Sequence, residues 1–221
     1  MIDLDVATYS HRHSHWQIQA AESVARYTKQ SYRFIQICEP GSAHVNLNRV
    51  LEQSTAPYLV ILDEDASLVS EIWLSCFLQT IARPDVGLVG AFQKRSTYQE
   101  PPDLETHVVP WTPGYFMGID RQKFPELRFD EAIPGANGMT DVDFCLQIRE
   151  RELQIVQDYR IQVYHPQRDE DEIRAVEERP TIKQQAIWYH DQMEYMRHKW
   201  GVWFDDYVRS YFGAAAPVRQ T

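Results

Sequence analysis

No apolar run in this sequence approaches the roughly 18 residues that a membrane-spanning helix requires. Cysteine is scarce: Cys38, Cys76 and Cys145 sit inside apolar segments without metal-type spacing, the pattern of buried thiols in a reducing compartment. Basic residues are in the minority, with 22 Lys and Arg against 32 Asp and Glu and a net charge of -10. That balance argues against nonspecific nucleic-acid binding and suits a protein that recruits divalent cations to reach an anionic ligand. The start, Met1-Ile2-Asp3-Leu4-Asp5, lacks the pattern of a secretory signal, so a cytoplasmic location is expected. Repeats and low-complexity tracts are absent. What is present is enough for a core: 221 residues, 43% of them hydrophobic, which fits one domain with a small appendage.

Strand and helix patterns alternate along the first half. Strands are expected at 4–8, 33–38, 58–63 and 86–92, and helices at 16–29, 42–53 and 69–82, with Ser14 and Gln17 as a capping box. Such alternation predicts an α/β fold, a mostly parallel sheet flanked by helices. Further on, 93–110 is polar and proline-bearing and reads as a long surface loop. A strand is expected within 111–119, a flexible turn at 135–138, a helix over 141–152, and two short strands at 153–156 and 160–164. After Pro166 the character changes. A charged stretch, 167–179, precedes a long helix over 181–200 and an aromatic segment, 202–212. We therefore expect one domain over 1–166 and a helical extension over 167–221 packed on it. Trp188, Tyr189, Met193, Met196 and Trp200 would supply the packed face. Contact of that aromatic helix with a membrane surface stays open, although the helix is not notably basic.

The most informative segment is Pro57-Tyr58-Leu59-Val60-Ile61-Leu62-Asp63-Glu64-Asp65. An apolar run ends abruptly in three acids. Carboxylates at the carboxyl end of a buried strand lie where open α/β sheets place their ligands. Asp63 and Asp65 would face one side of an extended strand and could share a hard cation with a diphosphate. The plainer alternative is an acidic turn in which Asp65 or Ser67 caps the next helix. His11, His13 and His15 alternate around Arg12 and read as solvated or close to phosphate rather than as metal ligands.

With these pieces in order, the chain resembles the family 2 glycosyltransferases of the GT-A fold. The matching segments are Ala7-Thr8-Tyr9-Ser10, Ile37-Cys38-Glu39-Pro40-Gly41-Ser42, Asn48 with the helix before Tyr58, and Asp63-Glu64-Asp65. They continue through Gly114-Tyr115-Phe116-Met117-Gly118 with Arg121 and Phe124, Phe129-Asp130-Glu131, Thr140-Asp141-Val142-Asp143-Phe144-Cys145-Leu146, and Val163-Tyr164-His165. The resemblance covers about residues 4–166. It departs from the family in three places: the segment between Ser42 and Asp63 is short, Glu39 replaces an Asp, and Thr140 replaces a Glu.

The resemblance implies transfer of a sugar from a nucleotide-diphosphate donor to a hydroxyl of a glycan or lipid-linked acceptor. A Mn²⁺ or Mg²⁺ ion bound by oxygen ligands would neutralise the departing diphosphate. Asp65 is the first candidate ligand, Asp63 binds ribose or metal, and His165 completes the set, which would favour Mn²⁺. His165 can also be read as a strand-end histidine with a hydrogen-bonded ring. Thr8, Tyr9 and Glu39 are expected to line the nucleoside pocket. Asp141 is the expected general base, ionised at a helix N-terminus; as plain structure it would be a helix cap and Asp143 a solvated first-turn acid. Trp111, Gly114 and Tyr115 fall on the acceptor side, and Asp130 and Glu131 are structural or acceptor-side. Two rivals stay in view. One is a non-catalytic GT-A-like module that binds a nucleotide or a partner. The other is a nucleotidyltransferase, which would carry a Gly-rich phosphate loop where this chain has Ser10-His11-Arg12-His13.

Overall fold

The computed structural model describes residues 3–10, 15–95, 100–136, 138–165 and 182–212. Ser14, His11, His13 and the charged stretch 167–179 lie outside these residues, as do the side chains of His15 and Trp188. The strands are β1 (Leu4–Ser10), β2 (Arg33–Cys38), β3 (Tyr58–Asp63), β4 (Ser67–Leu68), β5 (Val86–Lys94), β6 (Thr106–Val109), β7 (Phe116–Asp120) and β8 (Gln154–Tyr164). The helices are α1 (His15–Tyr27), α2 (Ala43–Gln53), α3 (Trp73–Ile81), α4 (Thr140–Glu150), α5 (Ile182–Trp200) and α6 (Val202–Phe212). All eight strands form one sheet in the order β2-β1-β3-β7-β5-β8-β4, with β6 also paired to β8. The strands β1, β2, β3, β5 and β8 run one way, and β4, β6 and β7 run against them. The expected α/β architecture is present, mixed in direction but dominated by its parallel strands.

Side-chain alternation on the strands builds two cores, one on each face of the sheet. In β3, Val60 and Leu62 join Val24 of α1 and Trp73, Leu74 and Phe77 of α3. Leu59 and Ile61 join Leu47, Val50 and Leu51 of α2 and Phe144, Cys145 and Ile148 of α4. A strand buried on both faces must be apolar at every position, which is why β3 reads as an unbroken run. A third cluster packs Ile133, Met139, Val142 and Leu146 against Met193 and Met196 of α5 and Phe204, Tyr207 and Val208 of α6.

Several local expectations need correction. Residues 93–110 are not one loop: β5 continues to Lys94, and Thr106–Val109 add β6 along the outer edge of β8. Helix α3 begins at Trp73, because Ser67 and Leu68 pair with Tyr164 and Val163 as β4. That pairing also removes Ser67 as a helix cap. The strand after Trp111 is confined to Phe116–Asp120. The two short strands near 153–164 are one, β8, carried past an irregularity in its pairing with β5 between Ala91 and Phe92. Buried Asp158 sits there and accepts from Arg160 Nε at 2.8 Å, Arg160 Nη2 at 2.7 Å and Thr80 Oγ1 at 2.7 Å. On α5, Met193 and Met196 face inward as expected, but Tyr189 is 44% exposed. Cys76 and Cys145 are buried free thiols, whereas Cys38 is only half-buried.

At the amino edge of the parallel strands, Asp5 ties β1 to its surroundings. Its Oδ1 accepts from Arg33 Nε at 2.8 Å. Its Oδ2 accepts from Arg33 Nη2 at 2.7 Å, Ser54 Oγ at 2.8 Å, Thr55 N at 2.9 Å and Ala56 N at 3.1 Å. Burial pushes this carboxyl's pKa up, but the Arg33 hydrogen bond, followed by those from Ala56, Ser54 and Thr55, outweighs it. The net effect lowers the pKa from 3.8 to about 2. A depressed folded-state pKa stabilises the fold above the unfolded value and loses that contribution as pH falls through the folded one. We expect about 2 kcal/mol to disappear between roughly pH 4 and pH 2. Asp5→Asn should flatten this acid limb in urea unfolding and lower neutral-pH stability by about 3 kcal/mol; an unchanged acid limb would refute the assignment.

Candidate active site

The candidate residues converge on the carboxyl edge of the parallel strands. Register sets the first pair: Tyr9 of β1 lies opposite Asp63 of β3. Both point to the α2–α4 face, and Tyr9 Oη donates to Asp63 Oδ1 at 2.9 Å. After Asp63 the chain turns, Ala66 N donating to Asp63 O at 3.0 Å, so Asp65 returns toward Asp63 through a turn rather than along a strand. His165 arrives from the end of β8. Its backbone N donates to Lys94 O at 3.1 Å. Its Nε2 lies 3.1 Å from Asp65 Oδ1 and 4.0 Å from Asp63 Oδ2. One ligand atom each from Asp63, Asp65 and His165 lies within 4.8 Å of the others.

Two carboxylates in a half-buried corner repel. The Asp63 carboxyl is pushed up to about 6, first by burial and then by the charge on Asp65, while His165 and the Tyr9 hydroxyl pull the other way. Burial and the same charges raise the Tyr9 phenol. A divalent cation would relieve that repulsion. Two carboxylates and one imidazole form a donor set for a hard-to-borderline ion such as Mn²⁺. The residues present therefore fit a metal.

Asp141 approaches from the helical layer. It is the second residue of α4, and its Oδ2 accepts from Gly114 N at 3.1 Å while Oδ1 accepts from Val142 N at 2.9 Å. Burial raises its pKa, and the backbone hydrogen bonds, Val142's first, oppose the rise. The residue before α4, Met139, adopts a left-handed conformation with φ 54°. That is an uncommon state for a non-glycine residue and is held here by burial in the third cluster.

The other expected residues divide. Thr8 follows strand alternation to the face opposite Tyr9; it is fully buried and its Oγ1 has no hydrogen-bond partner. Glu39 is exposed at the end of β2, its amide donating to Ser10 O at 3.2 Å. Tyr115 lies beneath His165, rings stacked with centroids 5.4 Å apart, and its hydroxyl donates to Ala91 O at 2.7 Å. Trp111 is half-buried against Tyr207 of α6, edge to face at 5.4 Å. Asp130 accepts from Tyr195 Oη at 2.8 Å and Lys199 Nζ at 2.6 Å. Glu131 accepts from Asn48 Nδ2 at 2.7 Å. Asp130 and Glu131 also line a groove of about 600 Å³ with Asn48, Gln147 and Lys199.

Asp143 is not a solvated acid. It is 1% exposed, and its Oδ1 accepts from Lys199 Nζ and Trp200 Nε1, both at 2.7 Å. Sequence reasoning missed this latch, and it also missed His44, whose Nε2 lies 3.1 Å from Thr140 Oγ1. It missed Gln93, which contacts His165. The polar run His44, Asn46, Asn48 on the inward side of α2 was a legible signal; the latch had none, because its halves lie far apart in sequence.

These environments predict opposite mutational costs. Asp143→Ala leaves Lys199 and Trp200 without their buried partner and should cost about 3 kcal/mol. Asp141→Asn removes a charge that burial disfavours and should change stability by less than about 1 kcal/mol. Urea unfolding midpoints compare the two directly, and the reverse ranking would refute the division between latch and site.

No protein-family model and no curated protein sequence matches this chain. Solved structures do. A mannosyltransferase of Pyrobaculum calidifontis, PcManGT, in complex with GDP-Man and Mn²⁺, aligns with TM-score 0.59 and 11% identity over 97% of this chain and 76% of its own. TarS 1-349 of S. aureus, in complex with UDP-GlcNAc, gives 0.61 and 13% over 89% of this chain and 65% of its own. GalNAc-T7 with UDP, GalNAc and Mn²⁺ gives 0.66 and 12% over 94% of this chain and 50% of its own. Likeness at such low identity is likeness of backbone, and the backbone of this chain has the GT-A fold of these glycosyltransferases.

Proposed function

We propose that this chain is a metal-dependent, inverting glycosyltransferase that moves a sugar from a nucleotide-diphosphate donor to a hydroxyl of a glycan or lipid-linked acceptor. The observation that carries the reading is the meeting of Asp63, Asp65 and His165 at the carboxyl edge of the sheet, with Asp141 facing the same edge from α4. Nucleotide sugars or nucleotide in the neighbouring structures, with Mn²⁺ in two of them, support it.

Asp65, His165 and Asp63 would hold the ion. When bound, it neutralises the charge that builds on the departing diphosphate. Tyr9, by donating to Asp63 Oδ1, fixes the carboxylate that faces metal or ribose. Tyr9 and Glu39, at the ends of β1 and β2, would border the nucleoside, whereas fully buried Thr8 would not touch it. Asp141 would take the proton from the acceptor hydroxyl as that oxygen attacks the sugar carbon opposite the leaving diphosphate. The Gly114 and Val142 amides hold its carboxylate in place. They also favour its ionised form, which a base requires. Trp111 and Gly114 would form the acceptor side, with Tyr115, Asp130 and Glu131 supporting it from behind.

The decisive experiment combines binding and turnover. Calorimetry should show nucleotide-diphosphate binding that strengthens at least tenfold with Mn²⁺ over chelator, and Asp65→Ala should abolish that gain. Asp141→Asn should retain the Mn²⁺-dependent binding and lose about 10²–10⁴-fold in transfer rate. Equal affinity with and without Mn²⁺ would remove the metal role. Nucleotide binding by the unmutated chain, without transfer from any donor, would favour a non-catalytic binding module.

A further inference from the structure

Gln93 lies next to the end of β5, in a segment whose polarity conceals its strand character. The register pairs Gln93 with Val163 and Lys94 with Tyr164, so the end of β5 runs beside the turn into His165. From there Gln93 Nε2 lies 3.0 Å from His165 Nδ1 and 3.3 Å from the His165 carbonyl oxygen. The ring is also backed by Tyr115. His165 is therefore held by the strand carbonyl of Lys94, an aromatic face and the Gln93 side-chain amide.

That amide has a chemical consequence. An amide NH₂ only donates. With Nε2 of Gln93 toward it, Nδ1 accepts, and the proton of a neutral imidazole sits on Nε2, facing Asp65 Oδ1 at 3.1 Å. Such a ring cannot offer Nε2 to a cation. Ligation through Nε2 needs the other tautomer, with the proton on Nδ1 and an acceptor beside it. Half a turn of the Gln93 amide brings its Oε1 to that place, giving up the hydrogen bond that Nε2 donates to the His165 carbonyl oxygen.

We propose that Gln93 is a positioning residue for His165: its amide offers Nδ1 either a donor or an acceptor, and the second arrangement is the one that presents Nε2 to a divalent cation. The inference rests on the metal-dependent reading above. Glutamine suits the role because one side chain supports both tautomers. A carboxylate would support only the cation-binding one, and an apolar side chain neither.

The test uses the full chain and two readouts. Nitrogen-15 NMR of labelled histidine reports the His165 tautomer without metal. Electron paramagnetic resonance of free Mn²⁺ reports its affinity. In the unmutated chain Nε2 should carry the proton; in Gln93→Glu the proton should move to Nδ1. Gln93→Leu, which changes no charge, should weaken Mn²⁺ binding by about 10–100-fold. Thermal melting checks the fold, and Gln93→Glu, nearly isosteric, keeps the question answerable if Gln93→Leu does not fold. Mn²⁺ affinity unchanged in Gln93→Leu, or a tautomer unchanged in Gln93→Glu, would overturn the role of Gln93 and leave the metal site standing. Mn²⁺ affinity as weak in the unmutated chain as in Asp65→Ala would instead overturn the metal reading beneath it.

Discussion

The repulsion between the Asp63 and Asp65 carboxylates is the constraint around which the rest of this molecule is arranged. Two like charges in a half-buried corner separate unless something holds them. Here the restraint is covalent and geometric. Asp63 is fixed by β3 at the centre of the sheet, and Asp65 is turned back by the Asp63–Ala66 backbone bond. The Tyr9 hydroxyl and His165 offset part of the cost. A flexible loop would relax and let the acids part. A strand packed on both faces cannot, and the cores on either side of β3 are what keep the corner strained.

The sequence showed this part of the molecule plainly, for a physical reason. β3 is buried on both faces, so its run of apolar residues and its abrupt acidic end both follow from the fold. Less was visible where burial is one-sided or partners are remote. β6 is an edge strand with one buried neighbour, and Val108 on it is 61% exposed, so it carries no alternation to detect. The end of β5 is set by backbone pairing with β8, which polar Gln93 and Lys94 satisfy as well as any residue. Asp143 looked like an ordinary first-turn acid because its position on α4 says nothing about a lysine and a tryptophan 56 and 57 residues further on. Residues 157–159 fell between two expected strands, although buried Asp158, paired with Arg160 two residues on, lies within one continuous strand.

The two halves of the proposed site are therefore built on different principles. Asp63, Asp65 and His165 stand on strands and turns whose places are fixed by the sheet. Asp141 stands on a helix whose approach is set by a loop, and that loop is gripped from outside. Gln192 Nε2 donates to Pro134 O at 2.6 Å, Tyr195 and Lys199 reach Asp130, and Lys199 and Trp200 reach Asp143. Met139 in its left-handed conformation marks the joint between grip and helix. Substitutions on α5 should thus act on the proposed base without touching it, and reach the carboxylate corner only through the charge of Asp141.

The latch also imposes an order in time. Once the chain has been made through His165, every strand among the described residues is available and the carboxylate corner can form. Asp130, Pro134 and the first turn of α4 must wait for residues 192–200, because the groups that grip them belong to a helix synthesised later. Since chains emerge from the ribosome amino end first, the Asp63–Asp65 corner can form while Asp143 still lacks the lysine and the tryptophan that cover it. Completion of α5 then fixes the first turn of the helix that carries Asp141, so the two halves of the proposed site are assembled in the order in which the chain is made.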